Sequence, residues 1–248
     1  MKKYGLIGFP LGHSFSVRYF NEKFRRESIP DCSYVNFEIK SVSLVHEILK
    51  DPDLRGLNVT IPYKESVVPL LHKKDQVVEQ TGACNCILIR QGIISGFNTD
   101  VIGFEKSLEE KLTGRDRRAM ILGTGGSSKA AAWVLRKKGI EILWVSRTKT
   151  GAADQVRYED LDQKILQAHS LIINSTPLGM HPNTGEYPPL PYEYISEGHY
   201  LFDLVYNPEK TIFLTKGEAA GARIKNGADM LAIQAEASWT IWNSDSLG

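Results

Sequence analysis

The chain has 248 residues, 42% of them apolar and 24% charged, a composition that excludes extensive disorder and supports one large core or two modest ones. Lys and Arg number 30 against 29 Asp and Glu, so the formal charge of +1 gives no global reason to expect nucleic acid or an anionic membrane as partner. Three cysteines (Cys32, Cys84, Cys86) cannot all pair, the opening MKKYGLIGFP breaks its apolar run on Gly and Pro, and nothing downstream is long and apolar enough to span a bilayer; a disulfide framework, a secretory leader and a membrane anchor are therefore not expected, and the cytoplasm is the expected compartment.

Short apolar runs alternate with amphipathic stretches throughout, which predicts an α/β architecture with mostly parallel strands. KYGLIGF reads as an opening strand, residues 16–27 as a helix, 33–39 as a second strand and 42–50 as a second helix. RGLNVTIP is a third strand, and YKESVVPLL a helix that ends near Pro69. CNCILIRQGIISGFN reads as two strands around a Gln-Gly turn. Asn98-Thr99-Asp100 then looks like the cap of a helix running towards Leu112. The polar break TGRDRR marks a change of domain. After it come the strand 119–122, a glycine turn and an Ala-rich helix, then the strands in EILWVSRT, SLIINSTPLGM and YLFDLVYNP. The tail GADMLAIQAEASWTIW has apolar residues at helical spacing and is expected to fold back onto the first half.

The glycine turn points to a dinucleotide. Gly123 suits a tight turn, Gly125 a close backbone approach to a pyrophosphate, and Gly126 opens a helix whose free N–H groups favour an anion, although Ser128 stands where the third glycine of the usual fingerprint would be. The next strand ends in Ser146-Arg147-Thr148-Lys149, where an NAD enzyme would place an acid for the ribose 2′-hydroxyl. An arginine, two hydroxyls and a lysine suit a 2′-phosphate instead, so NADP is expected as the cofactor.

The first half carries polar residues in unusual settings. Ser14 and Ser16 offer hydroxyls to an anionic carboxylate, with helix capping as the plainer alternative. Asn58 and Thr60 share one side of an apolar strand, and Lys64 falls in the first turn of the expected helix, where the dipole disfavours a cation and makes proton transfer easier. A lone lysine is more often a surface residue. Asn85 lies between Cys84 and Cys86; the cysteines are expected to face one way and Asn85 the other, and with no second Cys pair or His cluster no metal is expected. Asp100, besides capping its helix, would orient Lys64, and Gln234 sits within the apolar tail helix, where a buried amide would need a partner.

Taken together, GFPLGHSFS, LNVTIPYKE, GACNCI, GFNTD, LGTGGSSKA, SRT, NSTPLGM, DLVYNP and GADMLAIQA resemble the shikimate dehydrogenase family, nearly end to end and in the family's order. The resemblance implies two α/β domains: a substrate-binding domain of residues 1–101 with 228–248, built on a mainly parallel sheet and completed by the returning C-terminal helix, and a Rossmann-like NADP domain of residues 102–227. It implies that Ser14 and Ser16 hold the carboxylate of shikimate, that Asn58, Thr60, Asn85, Gln234 and Tyr206 meet the substrate, and that Lys64 and Asp100 are the catalytic acid–base pair. Thr176, Met180, Val205 and Gly227 would join the glycine turn and Ser146 to Lys149 on the cofactor side. The implied reaction interconverts 3-dehydroshikimate and shikimate, by a monomer or homodimer with no nucleic acid or membrane partner. Val17 stands where the family usually has proline, Ser146 where it has asparagine, and Cys86 where threonine is common, a change expected to bear on substrate preference. A quinate-preferring or NAD-preferring relative, a folate-interconverting dehydrogenase and a non-catalytic nucleotide-sensing module are the alternative readings.

Overall fold

The computed structural model describes residues 1–12, 15–148 and 152–244. Its strands are β1 (Lys2–Gly8), β2 (Cys32–Glu38), β3 (Leu54–Val59), β4 (Lys73–Lys74), β5 (Cys86–Arg90), β6 (Ile93–Phe97), β7 (Arg118–Leu122), β8 (Glu141–Ser146), β9 (Gln155–Arg157), β10 (Leu171–Asn174), β11 (Tyr200–Asp203) and β12 (Arg223–Lys225). Its helices are α1 (Phe15–Arg26), α2 (Val45–Ile48), α3 (Gln76–Thr81), α4 (Asp100–Glu109), α5 (Gly126–Lys137), α6 (Gln163–Ala168), α7 (Ile212–Ala219) and α8 (Ala228–Asn243). The chain divides into two compact units, Met1–Asp100 with Ala232–Gly248, and Val101–Leu231.

The first unit holds a six-stranded sheet in the order β2-β1-β3-β5-β6-β4. The pairs β1–β2, β1–β3 and β4–β6 are parallel, and β3–β5 and β5–β6 antiparallel. Both faces of the sheet are covered, which is why its strands read as near-continuous apolar runs. Ile7, Leu57, Val59 and Ile87 pack on one side with Val45 and Val67; Tyr4, Leu6, Tyr34 and Leu88 pack on the other with Phe20 and Phe24 of α1 and Ala235 and Trp242 of α8. Gly56 is required by that second face, because a Cβ there would lie 2.3 Å from the Trp242 indole nitrogen. The β5–β6 hairpin turns on Gln91 (φ 51°) and Gly92 (φ 79°), both left-handed, as a two-residue turn matched to the strand twist demands.

One expected element is absent. Residues 63–71 form successive turns and a 3₁₀ helix at Val68–Leu70, with no α-helix. Pro69 has no N–H to give the Glu65 carbonyl, and the Val68 N–H takes that acceptor instead at 3.2 Å. Residues 42–50 are likewise split into a 3₁₀ turn, Val42–Leu44, and the single turn of α2.

The second unit holds six strands in the order β12-β11-β10-β7-β8-β9, all parallel. Read along the chain this is the doubly wound order, and the winding reverses between β7 and β10, the place where such sheets bind ligands beyond their strand ends. Met120, Leu122, Val145, Ile172 and Leu201 form the sheet's share of the core, with Leu166, Phe213 and Leu214 packed on them from α6 and α7. Among the described residues no helix is long and apolar enough to cross a membrane.

Candidate active site

Lys64 and Asp100 meet. The Lys64 ammonium donates to Asp100 Oδ2 at 2.6 Å, and the side chains are 13% and 2% exposed. Asp100 opens α4, where a carboxylate suits the positive end of the helix dipole, and its backbone N–H is capped by Asn98 Oδ1 at 3.1 Å. Lys64 stands in a turn after β3, so the helix-dipole argument for its reactivity does not apply; its backbone carbonyl accepts from the Cys84 N–H at 2.8 Å, which ties that turn to the start of β5.

Asn85 is the hub beneath the pair. Its amide nitrogen lies 2.8 Å from Asp100 Oδ1, 3.0 Å from Thr99 Oγ1 and 3.0 Å from Gln234 Oε1, while its Oδ1 accepts from the Thr99 N–H at 2.6 Å. Asn58 continues the network. Its Nδ2 donates to Ser238 Oγ at 2.9 Å and to the Asn85 carbonyl at 3.3 Å, and its Oδ1 accepts from the buried Tyr34 hydroxyl at 2.9 Å. Tyr34 in turn hydrogen-bonds with Ser16, so one run of bonds joins Ser16 to Lys64. Two expected contact groups keep open valences. The Gln234 Nε2 and the Thr60 Oγ1, one residue past β3, have no hydrogen-bond partner among the described residues. Ser14 lies outside the described residues. Tyr34, Thr99 and Ser238 escape sequence reasoning; each reads as an ordinary core or capping residue until the fold brings the pieces together.

The cysteines do not share a face. Cys84 packs with Val67, Leu71 and Ile87, while Cys86 packs with Leu88, Ala235 and Trp242 on the other side of the sheet. Cys84 precedes the first residue of β5, so strand alternation does not extend to it. The Cys84 thiol donates to the Cys86 carbonyl at 3.3 Å, and burial pushes it up to about 12. Cys86 is wholly buried in the core, away from solvent.

In the second unit the glycine turn follows β7. Gly123 adopts φ +104°, which L side chains avoid, and a Cβ there would press on Thr176 and Ser175. Gly125 is the N-cap of α5 and supplies no side-chain cap, leaving the first turn of Gly126 and its successors to backbone donors. Ser128 is buried, its Oγ 2.7 Å from Ser175 Oγ, so this serine fills the third glycine's place by joining the β7 and β10 ends. At the end of β8, Arg147 and Thr148 are exposed, while the Ser146 hydroxyl is engaged within the protein, accepting from Gln155 Nε2 at 2.7 Å and donating to the Thr148 carbonyl. Lys149 lies outside the described residues. Thr176 bonds back to Asn174 Oδ1 at 2.6 Å, Met180 is exposed, Val205 is buried and Tyr206 half-buried after β11. Gly227 is a second obligatory glycine: its Cβ would come within 2.5 Å of the Leu204 carbonyl oxygen.

Asp203 organises these loops. Its Oδ1 accepts from Asn174 Nδ2 and the Val205 N–H, each at 3.0 Å, and its Oδ2 from the Thr211 hydroxyl at 2.6 Å. Burial outweighs those bonds and raises the carboxyl from 3.8 to about 6. Between these values the folded chain holds a proton that the unfolded chain releases, so Asp203 costs stability as pH rises through that window. The stability of the wild type relative to Asp203→Asn is therefore expected to increase on acidification from about pH 7 to about pH 5, by about 1 kcal/mol. Thermal unfolding of both proteins across that range measures it, and a pH-independent difference would contradict it.

A family model described as the shikimate dehydrogenase substrate binding domain matches residues 6–87. The shikimate dehydrogenase (NADP(+)) of Caldanaerobacter subterraneus subsp. tengcongensis is 35% identical over 98% of this chain and 92% of its own. The crystal structure of shikimate dehydrogenase 1 from Peptoclostridium difficile superposes with a TM-score of 0.87 at 35% identity, covering 98% of this chain and 91% of that one. Shikimate 5-dehydrogenase from Thermus thermophilus, solved in complex with NADP(H) and shikimate, does so with a TM-score of 0.87 at 28% identity, over 98% and 94%.

Proposed function

The chain belongs to the shikimate dehydrogenase family, and on that premise we propose that it is an NADP-dependent oxidoreductase interconverting 3-dehydroshikimate and shikimate. The observation that carries this reading is the Lys64–Asp100 pair, largely buried and held by Asn85. NADP, when bound, supplies the hydride in the reducing direction and accepts it in the other. The protein's part is proton handling and positioning. Lys64 donates a proton to the ketone oxygen as it becomes a hydroxyl, and takes it back in reverse. Asp100 keeps the ammonium in place and balances its charge. Ser14 and Ser16 hold the substrate carboxylate. Thr60 Oγ1 and Gln234 Nε2 meet ring hydroxyls with the valences the protein leaves open, and Asn58, whose amide hydrogens are committed, meets them through Oδ1. Asn85 serves chiefly by holding Asp100 and Gln234.

The second unit fits the nucleotide. The left-handed Gly123, the uncapped start of α5 and the exposed Arg147 and Thr148 suit a pyrophosphate and a 2′-phosphate, and no acid stands at the end of β8. In this reading residues 1–101 with 228–248 bind substrate, joined by Tyr206, residues 102–227 bind NADP through the glycine turn, Arg147, Lys149 and the Thr176, Met180, Val205 and Gly227 segments, and the enzyme works in the cytoplasm, consistent with its free thiols. A spectrophotometric assay of the purified protein with shikimate or quinate, crossed with NADP or NAD, tests it. Turnover is expected with shikimate and NADP; preference for quinate or NAD, or no turnover in any combination, would overturn it. Arg147→Ala is expected to raise the KM for NADP about 10- to 100-fold while leaving that for NAD unchanged, since a charge-assisted phosphate contact contributes roughly 1.5–3 kcal/mol.

A further inference from the structure

A second polar recess lies within the first unit, at the far end of its sheet from Lys64. It is a surface pocket of about 600 Å³ at the start of β1 and β3 and the hairpin end of β5. Leu54 lines it, and Asn58 of the catalytic network is four residues on, about 13 Å along the same strand at 3.3 Å per residue. The wall is aromatic. Tyr4 stacks on Trp242 with ring centroids 4.8 Å apart and planes 26° apart. The Tyr4 ring is buried, its hydroxyl has no hydrogen-bond partner within the protein among the described residues, and burial pushes the phenol up to about 12, so at neutral pH it is a protonated donor open to a ligand.

The rim is cationic. Lys2, Arg55 and Arg90 line the pocket, and among the described residues no carboxylate lies within 4.0 Å of any of them. Arg55 Nη1 donates to the Pro52 and Leu54 carbonyls at 2.8 and 3.1 Å, and Arg90 Nη2 to the Ser244 carbonyl at 2.8 Å. Those bonds orient the two guanidinium groups without neutralising them. The acid on the rim, Asp51, is already paired with Lys3 at 2.5 Å, and Lys50 is held by Glu47 at 2.8 Å. Three cations thus share one rim beside the Tyr4 phenol, with Asp51 as the acid among them, an arrangement that suits an anion. The volume is that of a small-metabolite site.

We propose that this pocket binds a small oxyanion of two or more negative charges, a phosphate ester or a dicarboxylate, at a site separate from the one containing Lys64 and Asp100. The proposal is tested by isothermal titration of the full chain with inorganic phosphate and, separately, malonate, at constant ionic strength in chloride and with NADP+ saturating so that the nucleotide site is filled. Saturable one-to-one binding of either probe is expected. Arg55→Gln and Arg90→Gln are each expected to weaken it about tenfold, the loss of one charge-assisted bond, with kcat for shikimate unchanged. Tyr4→Phe is expected to weaken it a few-fold. Binding of phosphate alone would assign a phosphoryl ligand and of malonate alone a carboxylate ligand. No saturable binding of either, or binding undiminished in the Arg55→Gln/Arg90→Gln double variant, would overturn the proposal.

Discussion

Lys64→Ala is expected to lower kcat by about 10²- to 10⁴-fold with little change in the KM for shikimate, because it removes the proton donor and none of the groups proposed to hold the ring acid. The fold should survive the change. Asp100 keeps the Asn85 amide at 2.8 Å and its place at the start of α4, so the carboxylate left behind is still hydrogen-bonded. Lys64→Arg should not restore the rate: a guanidinium does not give up its proton at working pH, and its planar fork does not match the single short bond to Asp100. Steady-state kinetics with both substrates, accompanied by a thermal melt, make the measurement. Near-normal kcat in Lys64→Ala would remove this residue from the mechanism.

Asn85→Ala is expected to combine a loss of activity with a loss of stability. The side chain is buried and bonds to Asp100, Thr99 and Gln234 at once. Truncation strands the Thr99 N–H and leaves the Asp100 carboxylate with Lys64 as its one side-chain partner among those described. Orphaned buried groups of this kind cost roughly 1–3 kcal/mol each, so a loss of about 2–4 kcal/mol and a fall in Tm of about 5–15 °C are expected. If Asn85 acted only by touching a ring hydroxyl, KM alone would rise and the melting curve would not move. The paired measurement therefore separates the two roles, and an unshifted Tm would rule out the hub.

The features legible in the sequence are those carried by local chemistry. The Gln91-Gly92 turn needs two left-handed residues and announces its hairpin; the glycine turn between an apolar strand and an Ala-rich helix announces β7 and α5. Lys64 and Asp100 can be named, but only folding sets one beside the other across the β3–β5–β6 strands. What stays hidden depends on tertiary context. The segment 63–71 has helical composition, yet Pro69 and its packing under β3 and β5 turn it into successive bends. The edge strands β4, β9 and β12 have two or three residues each, too few for a periodic pattern. Asp203 resembles any acid at a strand end, and its part in joining Asn174, Val205 and Thr211 exists only once β10 and β11 lie side by side.

The first unit draws on two stretches of chain with the whole second unit between them. On a ribosome its sheet emerges early, while the residues that cap one face, Ala235, Trp239 and Trp242, arrive last. Until then Tyr4, Phe20, Phe24 and Leu88 have no lid, whereas the uninterrupted second unit is free to mature ahead of them. Biogenesis should thus run out of order along the polypeptide, and a nascent chain stalled before residue 232 would present a sticky aromatic surface that chaperones are suited to shield.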